Sequence, residues 1–294
     1  MIAEKQPWGD YARRYALLIA VAALFILPLL FMVMSSFKSD EQIFSDLRSF
    51  RAFLPVGTLS LENYAAVFSQ TKILSYFFNS VLITVLTVGG GVLINSMAAF
   101  VLARMDFRGK RLMLTAIIAL VSVPIEAIVV PLFLLVSRLP GLAFGDGGII
   151  LTGSWLDTHH VQIIPFLAHA FSIYLFYQFF IDIPKDFDEA AYIDGATPFQ
   201  VYRYIIMPMS GPVIGTVVIL QSLAMWNQYL WPIIAVQSEG ARPIMPGIQQ
   251  FFGRNVAWGE IMAYATIVTL PILALFVAFQ RQFVQSVAGA GVKG

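Results

Sequence analysis

The stretch "PKDFDEAAYIDGATPF", residues 184–199, is acidic and interrupted by a glycine, although the chain around it is apolar. Asp186 near its start complements the dipole of a short helix. Gly195 is typical of the left-handed residue that follows the end of a helix. Thr197 and Gln200 have the spacing of a capping box, which starts a new helix. The stretch therefore predicts two short helices that meet at Gly195.

Composition indicates that these helices belong to a membrane protein. The chain has 294 residues, of which 59% are hydrophobic and 12% are charged, whereas soluble domains contain about 25% charged residues. A soluble chain so poor in charge would expose large apolar patches. The net charge of +1 excludes the basic surface of a nucleic-acid-binding protein. The absence of cysteine excludes disulfides, thiol catalysis and cysteine-bound metal.

Six apolar runs are close to the length of about 20 residues that a membrane-spanning helix needs. The runs are continuous and show no ten-residue alternation, which favours helices over a barrel. The first run is longer than a signal peptide and no A-x-A site follows it, so we expect it to be retained. The fold class predicted is an all-α polytopic membrane protein with six transmembrane helices. The predicted spans are Tyr15–Phe37, Tyr76–Ala103, Leu112–Val136, Val161–Ile181, Gly211–Val236 and Ile261–Phe279.

The basic residues predict the orientation of these spans. Of the 18 Lys and Arg residues, 11 fall on the side that includes both termini and 7 on the other. Because cytoplasmic loops carry the excess of Lys and Arg, both termini and the acidic stretch are predicted to be cytoplasmic. The basic cluster "RMDFRGKR" at 104–111 is the strongest single anchor.

A longer segment, "EAAYIDGATPFQVYRYIIMP" from Glu189 to Pro208, resembles the EAA loop of bacterial ABC importer permeases. That pattern is E-A-A, three residues, G, nine residues and I-x-L-P. One position departs from it, since Met207 replaces the usual Leu, a change that conserves volume. The matching residues are Glu189, Ala190, Ala191, Gly195, Ile205 and Pro208.

Further segments resemble the carbohydrate-type, binding-protein-dependent branch of this family, which includes the maltose and glycerol-phosphate permeases. One of them, "WNQYLWPII" at 226–234, departs from the branch because Gln228 stands where Asp is usual. The others are "LENYAAVF" at 61–68, "FFNSVLIT" at 77–84, "AAFVLARMDFRGKR" at 98–111, "VPIEAIVVPLF" at 123–133, "PIMPGIQQF" at 243–251 and the tail "AGAGVKG".

The resemblance implies a type I ABC importer permease fold in which this chain forms half of the translocation pathway. In the family, the EAA loop enters a cleft on a cytoplasmic ATPase. Glu189 is then expected to contact a basic group, and Gly195 to form the tight corner. The residues implied for coupling to the ATPase are Glu189, Ala190, Ala191, Asp194, Gly195, Ile205 and Pro208.

The resemblance also implies partners. A phosphate-binding loop needs G-x-x-x-x-G-K-[ST], and the nearest string, Gly148–Gly153, is followed by Ser154 instead of Lys. We therefore expect no cofactor on this chain and no ATP hydrolysis by it, with ATP and Mg²⁺ on two partner ATPase subunits. A second permease is expected, usually a different one in a heterodimer, with a homodimer as the alternative. An extracytoplasmic solute-binding protein and a bacterial inner-membrane location are also implied.

The expected organisation along the chain follows from the spans and the loop. A cytoplasmic N-terminus at 1–14 precedes a first transmembrane helix at 15–37 and an extracytoplasmic loop at 38–75. An ABC transmembrane type-1 domain at 76–281 contains five helices and the EAA coupling loop at 184–208. A glycine-rich cytoplasmic tail at 282–294 shows no helical pattern.

Three polar residues in the spans are candidates for the substrate pathway. Glu126 is the only acid inside a predicted span, and intramembrane carboxylates are costly and usually functional. Gln221 and Asn227 lie in an amide- and aromatic-rich span that suits a sugar. The alternatives remain open: Glu126 is equally explained as a residue that steadies a helix interrupted near Pro124 and Pro131.

Two polar regions lie outside the predicted spans. By family resemblance the last outer segment reaches towards the binding protein, through Pro243, Pro246 and Gly247, although a plain connecting loop is the alternative. Asp157, His159 and His160 do not form a complete set of metal ligands, so we interpret them as loop residues and expect no metal site. His169, inside a predicted span, is interpreted as a packing or hydrogen-bonding residue.

Two competing functions are weighed against a sugar importer. A proton- or ion-coupled secondary transporter usually has more intramembrane charge and internal repeats, and neither is evident. A membrane-embedded enzyme would need a nucleophile with its base or a complete metal set, and the sequence around 157–169 offers neither.

Overall fold

Long apolar helices account for most of the structure. A computed structural model describes residues 8–145, 148–253 and 256–291. Proceeding from the N-terminus, its helices are α1 Trp8–Ser35, α2 Asp40–Asp46, α3 Glu62–Gln70, α4 Ile73–Arg104, α5 Lys110–Val121, α6 Ile125–Val136, α7 His160–Ile163, α8 Ala170–Asp182, α9 Asp186–Ile193, α10 Pro198–Val201, α11 Met207–Met209, α12 Gly211–Trp226, α13 Leu230–Ala235, α14 Ile244–Gly247 and α15 Trp258–Gly291.

Four helical segments of the described chain are long and apolar enough to cross a membrane, and two bent helix pairs raise this to six if each pair is one span. Four of the six predicted spans therefore fall on single unbent segments, of which the fourth combines α7 and α8, and the third and fifth are interrupted. The third is not a single helix, because α5 and α6 meet at 105°. Pro124 lies between them, and it disfavours helical backbone at the residue before it.

The fifth predicted span, Gly211–Val236, is also not one helix. Helix α12 ends at Trp226, and α13 begins only at Leu230. At the end of α12 the side-chain Nδ2 of Asn227 donates to the carbonyl oxygen of Leu223 at 2.8 Å, and the backbone N–H of Asn227 donates to the same oxygen at 3.1 Å. The bent pair at this part of the chain joins Pro198–Met209 to Gly211–Trp226 at 78°.

Two further features differ from the sequence-based expectation. The segment from 141 to 152 contains an antiparallel pair of strands, β1 Gly141–Gly145 and β2 Gly148–Thr152, in which Gly141 pairs with Thr152. The β-branched residues of β2 favour extended backbone. Helix α15 continues from the last predicted span to Gly291, so the tail is helical as far as that residue, and 292–294 lie outside the described residues.

The chain divides into two compact units, and the first comprises Met1–Ile73 with Ile248–Leu270. In this unit the buried ammonium of Lys38 lies 3.0 Å from Asp46 Oδ2 and donates to the carbonyl of Arg51 at 2.7 Å. The hydrogen bond from Lys38 holds the pKa of Asp46 below its ordinary value. Asp40 accepts from the backbone N–H of Gly259 at 2.7 Å, which caps the start of α15. Polar contacts thus order the segment between α1 and α4.

The second unit comprises Leu74–Gly247 and Pro271–Gly294, and a hydrophobic core lies among its helices α4, α8, α10 and α12. Phe100, Phe176, Phe180 and Ile206 are almost completely buried there. The Tyr202 hydroxyl is 2.8 Å from Ser96 Oγ, which satisfies a polar atom inside this core. This core joins the helices on both sides of residues 184–199.

Glycines in α4 permit close helix packing in the second unit. A β-carbon on Gly91 would lie 2.7 Å from the amide nitrogen of Gln221, and one on Gly90 would lie 2.7 Å from Leu167 Cδ2, whereas one on Gly89 would meet nothing within 4 Å. Gln221 is 2% exposed and donates to the carbonyl of Phe166 at 3.2 Å. Small residues at such positions let helices approach in membranes.

The three adjacent glycines supply a matched test of this packing. Gly89→Ala should raise the free energy of unfolding by roughly 0.5 kcal/mol, because alanine is the better helix former. Gly91→Ala should lower it by about 1 kcal/mol, because the added methyl displaces Gln221 from its bond to Phe166. Denaturation of the purified chain in mixed SDS micelles measures both. Equal effects of the two substitutions would contradict the packing described.

Candidate coupling loop and substrate pathway

The acidic stretch forms the helix–turn–helix that the sequence predicts. Helix α9 covers Asp186–Ile193 and begins two residues after Pro184. Gly195 has a φ of +83°, the left-handed conformation that glycine adopts without steric cost. Thr197 and Gln200 form the expected capping box at the start of α10. The local backbone of this region is therefore confirmed in detail.

The predicted coupling residues are distributed over two environments. Glu189, Ala190, Asp194, Gly195 and Pro208 are exposed and are available to a partner. Ala191 is different, because it packs against the core of the chain itself, as Ile205 does. The sequence-based interpretation that both alanines admit a partner's backbone is therefore not supported for Ala191.

Apolar side chains also stand exposed on this loop. Ile193 is 86% exposed, and Phe187, Tyr192 and Phe199 are about half exposed. Exposed apolar groups rimmed by charge mark protein-interaction surfaces when they lie outside the lipid. The loop thus carries an exposed carboxylate, an exposed small residue and large exposed apolar side chains.

A buried ion pair anchors this loop to a membrane-spanning helix. Arg104, the last residue of α4, places its Nε 3.0 Å from Asp188 Oδ2, and the two side chains are only 3% and 8% exposed. Arg104 also donates from Nη2 to the carbonyl of Ile183 at 2.9 Å. Burial raises the pKa of Asp188, and the charge of Arg104 opposes this rise. Arg104 therefore favours the charged carboxylate and fixes α9 at the end of α4.

Sequence reasoning named Glu189 and did not single out Asp188. The two acids are adjacent, and only the fold shows that one points inwards and the other outwards. Asp188 pairs with a residue 84 positions earlier, so no local spacing reveals the contact. The basic cluster at 104–111 was the one available signal, because it places Arg104 at the same predicted membrane surface as the acidic stretch.

A π-helical segment, Tyr202–Ile206, follows α10 and leads into the bend before α12. Such segments are uncommon and are frequent at functional sites. Tyr202 and Ile206 are both buried in the core described above. The loop is therefore followed directly by residues that pack against α4 and α8.

The three candidate pathway residues occupy different environments. Glu126 lies in the first turn of α6 and is exposed within this chain, where it complements the helix dipole. Gln221 is buried against Gly91, so its contacts are with the chain itself. Asn227 is exposed and follows the end of α12. Their role in the pathway stays a prediction.

An apolar cavity of about 200 Å³ lies beside α12 in the second unit. Ser222 lines it, but Glu126, Gln221 and Asn227 do not. The full lining consists of Val81, Thr84, Val85, Ser222, Leu223, Trp226, Pro271, Ile272 and Leu275. Its apolar wall lacks the amides and charges that would bind a sugar, so the cavity does not gather the candidate pathway residues into one site.

The outer loop residues are placed differently from the expectation. Pro243, Pro246 and Gly247, expected to reach a binding protein, are all buried, and Ile244 between them is 0% exposed. The exposed residues of this segment within the second unit are 237–240. If the loop meets a partner, these four residues present the available surface.

The histidines do not form a metal site among the described residues, where no group of three or more His, Cys, Asp or Glu side chains converges. His159 Nε2 lies 2.9 Å from Asn79 Oδ1. His169 Nδ1 lies 2.9 Å from Ser172 Oγ, which agrees with its interpretation as a hydrogen-bonding residue.

The Arg104–Asp188 contact predicts how firmly the loop is held. Arg104→Met should accelerate hydrogen exchange of the α9 amides at least tenfold, because breaking a buried ion pair costs about 3 kcal/mol. The matched control is Arg108→Met, since Arg108 is exposed and the exchange should stay unchanged. Indistinguishable exchange in the two variants would show that the ion pair does not anchor the loop.

Comparison with known proteins identifies the family. Residues 91–289 match the model of the binding-protein-dependent transport system inner membrane component. The protein named "Probable ABC transporter permease protein YurM" of Bacillus subtilis (strain 168) is 36% identical over 91% of this chain and 83% of its own length. The diacetylchitobiose uptake system permease protein NgcG of Streptomyces coelicolor is 32% identical over 93% and 86%.

The fold is found in a solved structure as well. A chain of a bacterial ABC transporter involved in the import of the acidic polysaccharide alginate aligns with a TM-score of 0.74 at 21% identity, covering 92% of this chain and 96% of that chain. The family match, these relatives and the spanning helices lead to one conclusion. The chain is a multi-pass membrane protein that belongs to the binding-protein-dependent transport system inner membrane components, the permeases of ABC importers.

Proposed function

We propose that this chain is the permease subunit of an ATP-driven sugar importer and receives the work of ATP hydrolysis through α9 and α10. The observation that carries the proposal is the exposed helix–turn–helix that Arg104 and Asp188 attach to α4. A generic solvated loop would not need a buried ion pair, which is costly to desolvate. An anchored loop instead transmits a displacement to the helix that it contacts.

The solute class is inferred from the relatives. NgcG is named for diacetylchitobiose, and the structural neighbour belongs to an importer of alginate. Sugars carry many hydroxyl groups, and recognition of hydroxyls by amides and aromatic faces suits the region that contains Trp226, Asn227 and Gln228. We therefore propose a sugar or sugar derivative as the solute.

The chain is proposed to be non-catalytic. In its nearest approach to a phosphate-binding loop, Gly148–Gly153, all residues but the last lie on strand β2, whereas such a loop must open a helix. ATP and Mg²⁺ are thus assigned to two partner ATPase subunits. One acidic loop serves one ATPase, so a second permease is proposed, together with the binding protein that the family description implies.

Both termini and the coupling loop are proposed to face the cytoplasm. The ATPase and its ATP are cytoplasmic, so the loop must be on that side. Arg104, at the end of α4, contacts Asp188 on α9, so these two elements share one membrane surface. The excess of Lys and Arg on this side supports the same assignment.

Labelling of single cysteines tests the orientation, and the chain is suited to it because it has no native cysteine. A cysteine at Arg108 or Gly195 should be protected from an impermeant thiol reagent in intact cells and should react after permeabilisation. A cysteine at Gly240, which is exposed, should react in intact cells. The opposite pattern would overturn the orientation and the coupling role of the loop.

Two substitutions test the coupling itself. Gly195→Val should separate the two helices, because a left-handed residue with a β-carbon costs roughly 1 kcal/mol and branching adds to this. Glu189→Lys reverses a charge where a cationic partner is expected, and such a clash costs several kcal/mol. Both should lose at least 90% of the ATPase stimulation that the loaded binding protein produces in reconstituted complexes, or lose the ATPase subunits in a pull-down.

Matched variants separate this effect from misfolding. Gly195→Ala adds a β-carbon where no described atom lies within 4 Å, so it should keep most of the stimulation. Glu189→Gln keeps size and hydrogen bonding and should be intermediate. If Gly195→Val and Glu189→Lys both assemble with the ATPase subunits and show wild-type ATPase stimulation, the proposal is contradicted.

A further inference from the structure

A short polar turn stands out on the side of the second unit that also carries Asp157. Gln237, Ser238, Glu239 and Gly240 are exposed, while Val236 and Ala241 on either side are buried. The exposed part is thus only four residues long, and both of its ends are embedded. Such a turn keeps its shape if its backbone groups are satisfied by fixed side chains.

The Asp157 carboxylate accepts hydrogen bonds from the backbone N–H groups at the beginning of this turn. One oxygen, Oδ1, accepts from the backbone N–H of Gln237 at 2.6 Å and of Ser238 at 2.7 Å, and the N–H of Asp157 donates to the carbonyl of Ala235 at 3.0 Å. Asp157 has a φ of 61°, a conformation that disfavours most side chains and that Asp and Asn tolerate best after glycine. The backbone of Asp157 is therefore strained, and its carboxylate accepts two hydrogen bonds from the turn.

The Asn79 side chain donates hydrogen bonds to the backbone carbonyls at the end of the turn. Its Nδ2 donates to the carbonyls of Gly240 at 2.8 Å and Arg242 at 3.0 Å. With both N–H groups used as donors, Oδ1 must accept, so the 2.9 Å contact assigns the donor role to His159 Nε2. Asn79 on α4 is thus hydrogen-bonded to His159. Asn79 binds the end of the turn, and Asp157, two residues before His159, binds its beginning.

Two buried polar side chains reinforce the same attachment. Gln162, 0% exposed, donates to the carbonyl of Ala241 at 2.9 Å. Ser80 Oγ accepts from the N–H of Ile244 at 2.7 Å. The backbone from 237 to 244 is consequently bonded to side chains from two other segments of the unit.

We propose that Asp157, His159 and Asn79 are positioning residues that hold the 237–240 turn in the form that meets the solute-binding protein. This inference rests on the proposed function. A polar turn that is already ordered loses little conformational entropy on binding, which strengthens a transient contact with a soluble partner. The three residues themselves need not touch the partner, and they act through the backbone of the turn.

Asp157 offers a matched pair of substitutions. Asp157→Asn keeps an oxygen acceptor and tolerates the left-handed backbone, whereas Asp157→Gly removes the acceptor and relieves the strain. We expect the binding-protein concentration that half-saturates ATPase stimulation to rise at least fivefold in Asp157→Gly and less than twofold in Asp157→Asn. The maximal stimulated rate should stay within twofold of wild type in both. Asn79→Ala should resemble Asp157→Gly.

The assay uses the complete complex in proteoliposomes and its cognate solute-binding protein, saturated with diacetylchitobiose or maltose, whichever it binds more tightly. If half-saturation is unchanged in both Asp157→Gly and Asn79→Ala, the inference is wrong. A fall in the maximal rate without a change in half-saturation also overturns it, because that result indicates a general structural role. Failure of the wild-type complex to respond to the binding protein contradicts the proposed function itself, and the inference falls with it.

Discussion

The ion pair between Arg104 and Asp188 is the contact on which the position of the coupling loop depends. Helix α9 has eight residues, too few to be stable alone in water, and most of its surface is exposed. Two contacts hold α9 in place. The buried carboxylate of Asp188 pairs with Arg104 at the end of α4, and Ala191 packs against the core. Removing either partner of the pair would leave a buried charge without compensation, so the interaction enforces one arrangement of loop and helix.

The residues that follow the loop pack closely against other helices of the second unit. Ile205 and Ile206, just beyond the loop, pack with α4, α8 and α12 around Phe176 and Phe180. The side chain of Gln221 on α12 packs directly against Gly91 of α4. Packing of this kind transmits strain between neighbouring side chains. If α9 couples to an ATPase as proposed, a movement of α9 is expected to reach these packed helices first.

Much of this organisation follows from local sequence. The apolar runs predict where spans occur, and the capping box at Thr197 and the left-handed Gly195 need only residues within a few positions. What local patterns do not contain are contacts between distant segments: Asp188 with Arg104, and Asp157 with the 237–240 turn. The bend near Pro124 has a local cause in the proline itself, whereas the burial of Pro243 and Pro246 depends on tertiary packing, which the hydropathy of a single stretch does not contain.

The most direct test of the account is solute uptake by the complete complex in proteoliposomes. Uptake of the labelled sugar should require ATP on the side of the ATPase subunits and the loaded binding protein on the other side, and an ionophore that dissipates ion gradients should leave it unchanged. Uptake that proceeds without ATP and collapses with the ion gradient would contradict the account and would indicate a secondary transporter instead.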